Sequence, residues 1–207
     1  QLSKHVHLKK KKKILLIQNK ALELSMFLSI PASIALIIGS EQIISALFGY
    51  GSFKMDSVLN SSKALYYFGV GLPAFAFIKV FSTFFFANHD TKTPFYISLV
   101  SVLLNILISV YFFKDIGFII IPIATTISSW FNSLVLFVYL KNNGLFEFNE
   151  IFFKKFIKII FVSIMMGFFF EYLILFFENQ LSYTFKFKSA YLILCVFLTI
   201  IFYLTLS

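Results

Sequence analysis

An all-α, polytopic membrane fold with about six transmembrane helices follows from three observations. Apolar residues come in runs long enough to cross a bilayer. Charge is scarce and collects between the runs. The gaps between runs carry helix-capping and turn residues. Of 207 residues, 59% are hydrophobic and only 13% charged, and the mean hydropathy is +0.90. A soluble domain of this size needs far more charge on its surface. A helix crossing the hydrocarbon core needs ~20 apolar residues. Residues 24–40, 66–87, 95–113 and 116–140 meet that length, and 156–177 and 190–206 follow.

The charge pattern gives a topology. The net charge is +9, and every basic residue is lysine. Lys4, the run at 9–13 and Lys20 precede the first span. Lys92 lies between spans two and three, and Lys141, Lys154, Lys155 and Lys158 between four and five. The alternate loops are poorer, with Lys54 and Lys63, then Lys114, then Lys186 and Lys188. The positive-inside rule puts both ends of the segment in the cytoplasm. The lysine run beside a span reads as a topology determinant that also attracts anionic lipid headgroups, rather than as a nucleic-acid patch. The expected layout is a basic cytoplasmic segment at 1–20, a four-helix transmembrane core with a polar face at 21–140, and two peripheral apolar helices at 141–207.

The boundaries carry their own signals. Thr93-Pro94 predicts an N-cap followed by proline at the first helical position. Gly144 predicts a left-handed end to span four, and Asn149 a cap for span five. Gly49-Tyr50-Gly51-Ser52 is a turn. Residues 41–48 extend span one or lie in the interface.

Polar residues divide the spans. Ser25, Ser29 and Ser33 recur every four residues in span one, with Ser40 further on, and so share a helical face. Ser98, Ser101, Asn105 and Ser109 do the same in span three. Thr125, Ser129 and Asn132 do so in span four, with Ser128 and Ser133 beside them. In a membrane such a stripe faces other helices or a water-filled cavity. In span one, packing of small residues is the better reading. Asn105 carries an amide at mid-membrane, where it is costly unless paired; helix–helix glue and a transport path both account for it.

Lys79 is the one charge deep inside a run. Its stem can snorkel to the interface, or its ammonium can enter a cavity and meet an anionic substrate. Gly71 and Pro73 interrupt span two and are hinge candidates. Pro31 and Pro122 can kink spans one and four. No enzyme signature is present: His5, His7 and His89 have no carboxylate at metal-ligand spacing, there is no phosphate loop, and Cys195 is the sole cysteine. No cofactor is expected.

Several stretches carry a resemblance. Tyr67-Phe68-Gly69-Val70-Gly71-Leu72-Pro73-Ala74-Phe75, Lys79-Val80 and the loop Asn88-His89-Asp90-Thr91-Lys92-Thr93-Pro94 resemble the MurJ (MviN) lipid II flippase family. Phe48-Gly49-Tyr50-Gly51-Ser52-Phe53, Asn105, Ala124-Thr125, Ser129-Trp130, Asn132 and Gln1-Leu2-Ser3-Lys4 extend it. The match is densest over 21–140 and only compositional in the last two spans. It implies the C-terminal part, helices nine to fourteen, of a fourteen-helix bacterial inner-membrane protein of the multidrug/oligosaccharidyl-lipid/polysaccharide exporter superfamily. Such proteins move lipid-linked peptidoglycan precursor to the outer leaflet by alternating access. The implied partners are membrane lipid, a lipid-linked glycan and an N-terminal lobe that carries the family's essential cationic residues. Lys79, Asn105, Ser109, Thr125, Ser129 and Asn132 are the implied substrate-path candidates. Some members bind sodium, and Asn105 and Thr125 match two of those positions. Ser109 stands where the acidic ligand would be, which argues against a sodium site. The last two spans match a pair that forms a groove for the lipid tail.

Overall fold

The computed structural model describes residues 2–207, with side chains from Lys12 onward. Gln1 and the side chains of Lys4, His5, His7 and the lysines at 9–11 lie outside that description. The elements are α1 (Leu2–Ile38), α2 (Ser40–Phe48), α3 (Met55–Ala87), α4 (Lys92–Ile116), a 3-10 turn (Gly117–Ile119), α5 (Ile120–Asn142), α6 (Glu150–Phe176), α7 (Glu178–Leu181) and α8 (Lys188–Leu206). Among the described residues there is no strand.

Five helical stretches are long and apolar enough to cross a membrane: Lys12–Ile38, Met55–Ala87, Lys92–Asn142, Glu150–Phe176 and Lys188–Leu206. The third has 51 residues, roughly 77 Å if straight, against a hydrocarbon core of about 30 Å. It folds back on itself. Gly117, at φ 73 and ψ −155, occupies backbone space essentially open to glycine alone. The chain reverses there, α4 and α5 pack against each other, and six crossings result.

The long helices stand side by side in the order α8, α6, α1, α3, α5, α4, with α2 lying between α3 and α8. Only Pro94 and Ser101 of α4 are buried, so one edge of the row is a nearly bare helix. At the lysine-rich end a cluster of phenylalanines, with Phe81, Phe84, Phe85, Phe146 and Phe152 at its centre, fills the space between α1, α3, α5 and α6. Asn19 pins that end. Its amide nitrogen donates to the Leu15 and Glu147 carbonyls, and its oxygen accepts from the Asn149 backbone N–H.

Two prolines set the interhelical hydrogen bonds. Proline has no N–H, so each leaves the carbonyl four residues earlier without its helical donor. In α1, Pro31 orphans the Phe27 carbonyl, and the Tyr203 hydroxyl of α8 donates to it at 2.9 Å. In α3, Pro73 orphans the Gly69 carbonyl, and the Ser33 hydroxyl of α1 donates to it at 2.7 Å. From the other side of α3, Thr126 donates to the Tyr67 carbonyl and the Trp130 indole N–H to the Val70 carbonyl. Gly71 allows that contact: a Cβ there would sit 2.9 Å from Thr126 Oγ1. The backbone around Pro73 is therefore braced from α1 and from α5.

Lys188 does not behave as a loop charge. It is 1% exposed, and its ammonium donates to the Gly49 and Tyr183 carbonyls, each at 2.7 Å. It also lies over the Tyr50 and Tyr183 rings. Beside it, Ser189 donates to the Ala46 carbonyl and accepts from Tyr50. These bonds tie the start of α8 to the end of α2.

The boundaries follow the sequence with one change. Asn149 caps α6 by accepting from the Ile151 N–H, and Gly144 is left-handed at φ 63. Residues 41–48 belong to a separate helix, α2. Thr93 is not the cap of α4, which begins at Lys92. Asp90 does the capping: its Oδ1 accepts from the Thr93 N–H at 3.0 Å. Hydrogen bonds from the Thr93 side chain and then its backbone hold the Asp90 carboxyl below the usual range. The left-handed residue after α3, His89 at φ 59, turns the carboxylate into place.

Replacing Ser33 with Ala or Tyr203 with Phe strands one carbonyl in an apolar setting. Each is expected to lower stability by about 1–3 kcal/mol in detergent-to-SDS unfolding. Ser25→Ala, which breaks no such bond, is expected to change little.

Candidate functional site: a polar cleft and an apolar groove

The polar stripes of the third and fourth spans converge. Ser98, Ser101 and Asn105 of α4 meet Thr125, Ser128, Ser129 and Asn132 of α5 around an open cleft of about 330 Å³. Ile78 of α3 closes one wall. No Asp, Glu, Lys or His lines it.

The direction of the hydrogen bonds decides what this cleft offers. Ser101 donates to the Ile97 carbonyl, Thr125 to Ile121, and Ser128 and Ser129 both to Thr125. Each hydroxyl proton is spent on its own helix. Thr125 Oγ1 and Ser128 Oγ must therefore accept from Asn105, whose amide nitrogen lies 3.0 and 3.3 Å away. That requirement fixes the orientation of the Asn105 amide. Asn132 turns its nitrogen toward Ser98 at 3.4 Å. Its oxygen is buried and has no partner. The cleft lining is thus neutral and polar: Ser101 and Ser129 keep lone pairs, and Ser98, which accepts from Asn132, keeps its hydroxyl proton. It suits neutral hydrogen-bonding groups, and has no cation for a phosphate.

The structure brings Asn105, Thr125, Ser129 and Asn132 together and leaves the other candidates apart. Lys79 is exposed on α3 and does not line the cleft. Ser109 lies one turn beyond Asn105, outside the cleft, with a buried hydroxyl that has no partner. Gly71 and Pro73 are buried at the braced part of α3. No group of three or more His, Cys, Asp or Glu residues that could hold a metal occurs among the described residues. At Asn105 and Thr125 the oxygen donors are neutral, so a sodium ion there would lack an anionic ligand.

A second concavity lies elsewhere along the row, where α1, α6 and α8 meet. It is a groove of about 480 Å³ lined by Phe27, Pro31, Ala35, Met166, Phe170, Val196 and neighbouring residues. Thr199 and the Tyr203 hydroxyl, its polar members, spend their protons on the Cys195 and Phe27 carbonyls. Sequence reasoning placed an apolar pair here but missed Tyr203 and Lys188. The available signals were a tyrosine in an otherwise apolar span and a lysine at the very start of one.

A double-mutant cycle tests the amide–hydroxyl contact that joins α4 to α5. Combining Asn105→Leu with Thr125→Ala is expected to give a coupling energy near 0.6 kcal/mol, and below about 1.7 kcal/mol, in SDS unfolding. A coupling of zero would mean that the two side chains do not meet.

Comparison with known proteins agrees with this architecture. A 128-residue stretch is 37% identical to the probable lipid II flippase MurJ of Rhizobium meliloti, covering 62% of this chain and 24% of that protein. The probable lipid II flippase MurJ of Rickettsia prowazekii is 35% identical over 123 residues, 59% of this chain and 24% of its own length. Among solved structures, a lipid II flippase MurJ in an inward closed conformation superposes with a TM-score of 0.76 at 27% identity. That match covers 96% of this chain and 39% of that one. The chain thus spans about a quarter to two-fifths of the relatives it matches. The family model "Lipid II flippase MurJ" fits residues 1–192, and the chain belongs to that family.

Proposed function

We propose that this chain is the C-terminal part of a flippase that carries lipid II, the lipid-linked peptidoglycan precursor, from the inner to the outer leaflet of a bacterial inner membrane by alternating access. One observation carries the reading. A row of six crossings holds a neutral polar cleft toward one edge and a largely apolar groove toward the other. Lipid II is divided in the same way, into a hydrophilic headgroup and a long isoprenoid tail. The headgroup's sugar hydroxyls and amides are neutral hydrogen-bonding groups and match the cleft at Ser98, Ser101 and Ser129. The tail matches the groove between α1, α6 and α8.

The pyrophosphate needs cations, which the cleft lacks. Lys79 stands on the exposed face of α3, and the N-terminal lobe, which this reading places across the path, supplies the remainder. The bare apolar face of α4 is then where that lobe or lipid packs. The lysine-rich end, with Lys20, Lys92, Lys141, Lys154, Lys155 and Lys158, faces the cytoplasm, and both ends of the segment lie there. In this account α3 moves as a braced unit with α1 and α5, because the backbone around Pro73 is held by Ser33, Thr126 and Trp130.

The same fold could serve a different lipid-linked glycan, since a neutral polar cleft recognises hydroxyls and amides in general. Competition between headgroups in a transport assay separates the two substrates.

The test is to supply the full-length natural gene to cells depleted of their own flippase and to measure outer-leaflet lipid II. Restoration is expected. Asn132→Leu is expected to cut transport at least tenfold at unchanged membrane abundance, and Lys79→Leu severalfold. Failure of the unsubstituted gene to restore outer-leaflet lipid II would overturn the reading. Full activity of both variants would remove the assigned path.

A further inference from the structure

Helix α8 is tied to the rest of the row at its two ends, and the two ties differ in kind. Near its C-terminal end the Tyr203 hydroxyl donates to the Phe27 carbonyl that Pro31 frees. Breaking that bond strands a carbonyl where no water can replace the donor. At its start the Lys188 ammonium donates to the Gly49 and Tyr183 carbonyls, and it lies 4.4 and 4.5 Å from the centres of the Tyr50 and Tyr183 rings. No carboxylate pairs with it among the described residues. A buried charge without an anion is held against its own hydration. Tyr50, which covers it, is 44% exposed. A small separation of α8 from α2 therefore lets water take over each bond that is lost, and strands nothing.

The order of residues along the two helices shows what this second tie closes. Ile43 of α2 and Val196 of α8 line the apolar groove. Ala46 and Leu192, with Leu181 and Cys195, form a packed apolar cluster. Gly49 and Lys188 come last. Groove, cluster and ammonium thus follow one another along the seam between α2 and α8, toward the end opposite the lysine-rich one. The seam depends on close approach: a Cβ on Gly49 would sit 3.0 Å from Lys188 Nζ. Ser189 reinforces it by donating to the Ala46 carbonyl at 2.7 Å.

We propose that Lys188, caged by Gly49, Tyr50 and Tyr183, is a releasable latch that shuts the apolar groove at this end. Helix α8 pivots on the Tyr203 tie; when the ammonium leaves its cage, the seam with α2 parts and the groove opens. Lys188 is a positioning residue and touches no substrate. The flippase reading supplies the purpose of the opening, which is to let a lipid tail leave toward the outer leaflet. The latch itself rests on the geometry of the seam.

Cys195 is a built-in reporter. It is 0% exposed and lies about two turns along α8 from Lys188. In the full-length natural protein, with any other cysteines replaced by Ala, the rate at which a small thiol reagent modifies Cys195 is measured. Lys188→Met keeps the apolar stem and removes the ammonium, and is expected to raise the rate about tenfold or more by freeing the seam to open locally. Tyr50→Leu, a change at an exposed side chain, is expected to raise it severalfold. Ser33→Ala weakens a different seam and is expected to leave the rate nearly unchanged, which separates release of the latch from general loss of stability. An unchanged rate in Lys188→Met, or a rise no larger than that of Ser33→Ala, would overturn the proposal. A lock provides the second arm: Ala46→Cys with Ser189→Cys, in a Cys195→Ala background. Oxidation is expected to stop delivery of lipid II to the outer leaflet, and reductant to restore it. Undiminished transport with the bridge closed would also overturn the latch. No transport even in reductant would count against the flippase reading instead, and the Cys195 rates would still decide the latch.

Discussion

A backbone carbonyl in the bilayer core has no water to turn to, and two prolines create such carbonyls in the middle of this protein. The rest of the architecture depends on how they are satisfied. Tyr203 reaches from α8 to the carbonyl that Pro31 frees on α1. Ser33 reaches from α1 to the carbonyl that Pro73 frees on α3. The two bonds link α8, α1 and α3 in series, and Thr126 and Trp130 extend the chain of contacts to α5. Apolar packing alone gives weak specificity between helices in lipid, because the tails are as apolar as the side chains. An orphaned carbonyl with one donor in reach fixes both partner and register.

The two concavities follow from that skeleton. Pro31 lines the apolar groove, and the Tyr203 bond to the carbonyl it frees joins α8 to α1 along that groove. Bracing of α3 from both sides holds α5 in place as the floor of the polar cleft, with Ile78 as a wall. Within the cleft, each serine and threonine hydroxyl that bonds its own helix loses its proton to the backbone. At Ser101, Thr125, Ser128 and Ser129 the stripe therefore keeps only its lone pairs.

Much of this was legible in the residues, and the remainder failed for definite physical reasons. Run length and lysine placement gave six crossings, although the third and fourth merge into one apolar stretch that only Gly117 divides. The three- and four-residue spacings of Ser98, Ser101 and Asn105, and of Thr125, Ser129 and Asn132, put on facing stripes side chains that line one cleft. Periodicity gives a face but not depth or tilt, so it grouped Ser109 with the cleft, and Lys79, singled out as a charge deep inside a run, does not line it either. Ser33 was read as a packing serine, while its hydroxyl serves a carbonyl on another helix, a contact 36 residues away that no local pattern encodes. Gly71 and Pro73 read as a break; the donors that brace the break sit on other helices. Lys188 read as a loop charge because its partners, Gly49 and Tyr183, are backbone carbonyls, which have no sequence signature.

The claim at the centre is that the row of helices has one watery concavity and one dry one. Cysteine accessibility in membranes of cells carrying the full-length natural protein measures that directly. Cys195, which is buried, is first replaced with Ala. Single cysteines are then placed at Ser98 and Ser101 in the cleft, and at Leu28 and Val196 in the groove. A water-soluble maleimide is predicted to label both cleft positions and neither groove position, with equal expression of all four. Equal labelling of the two sets, or labelling of the groove alone, would contradict the account.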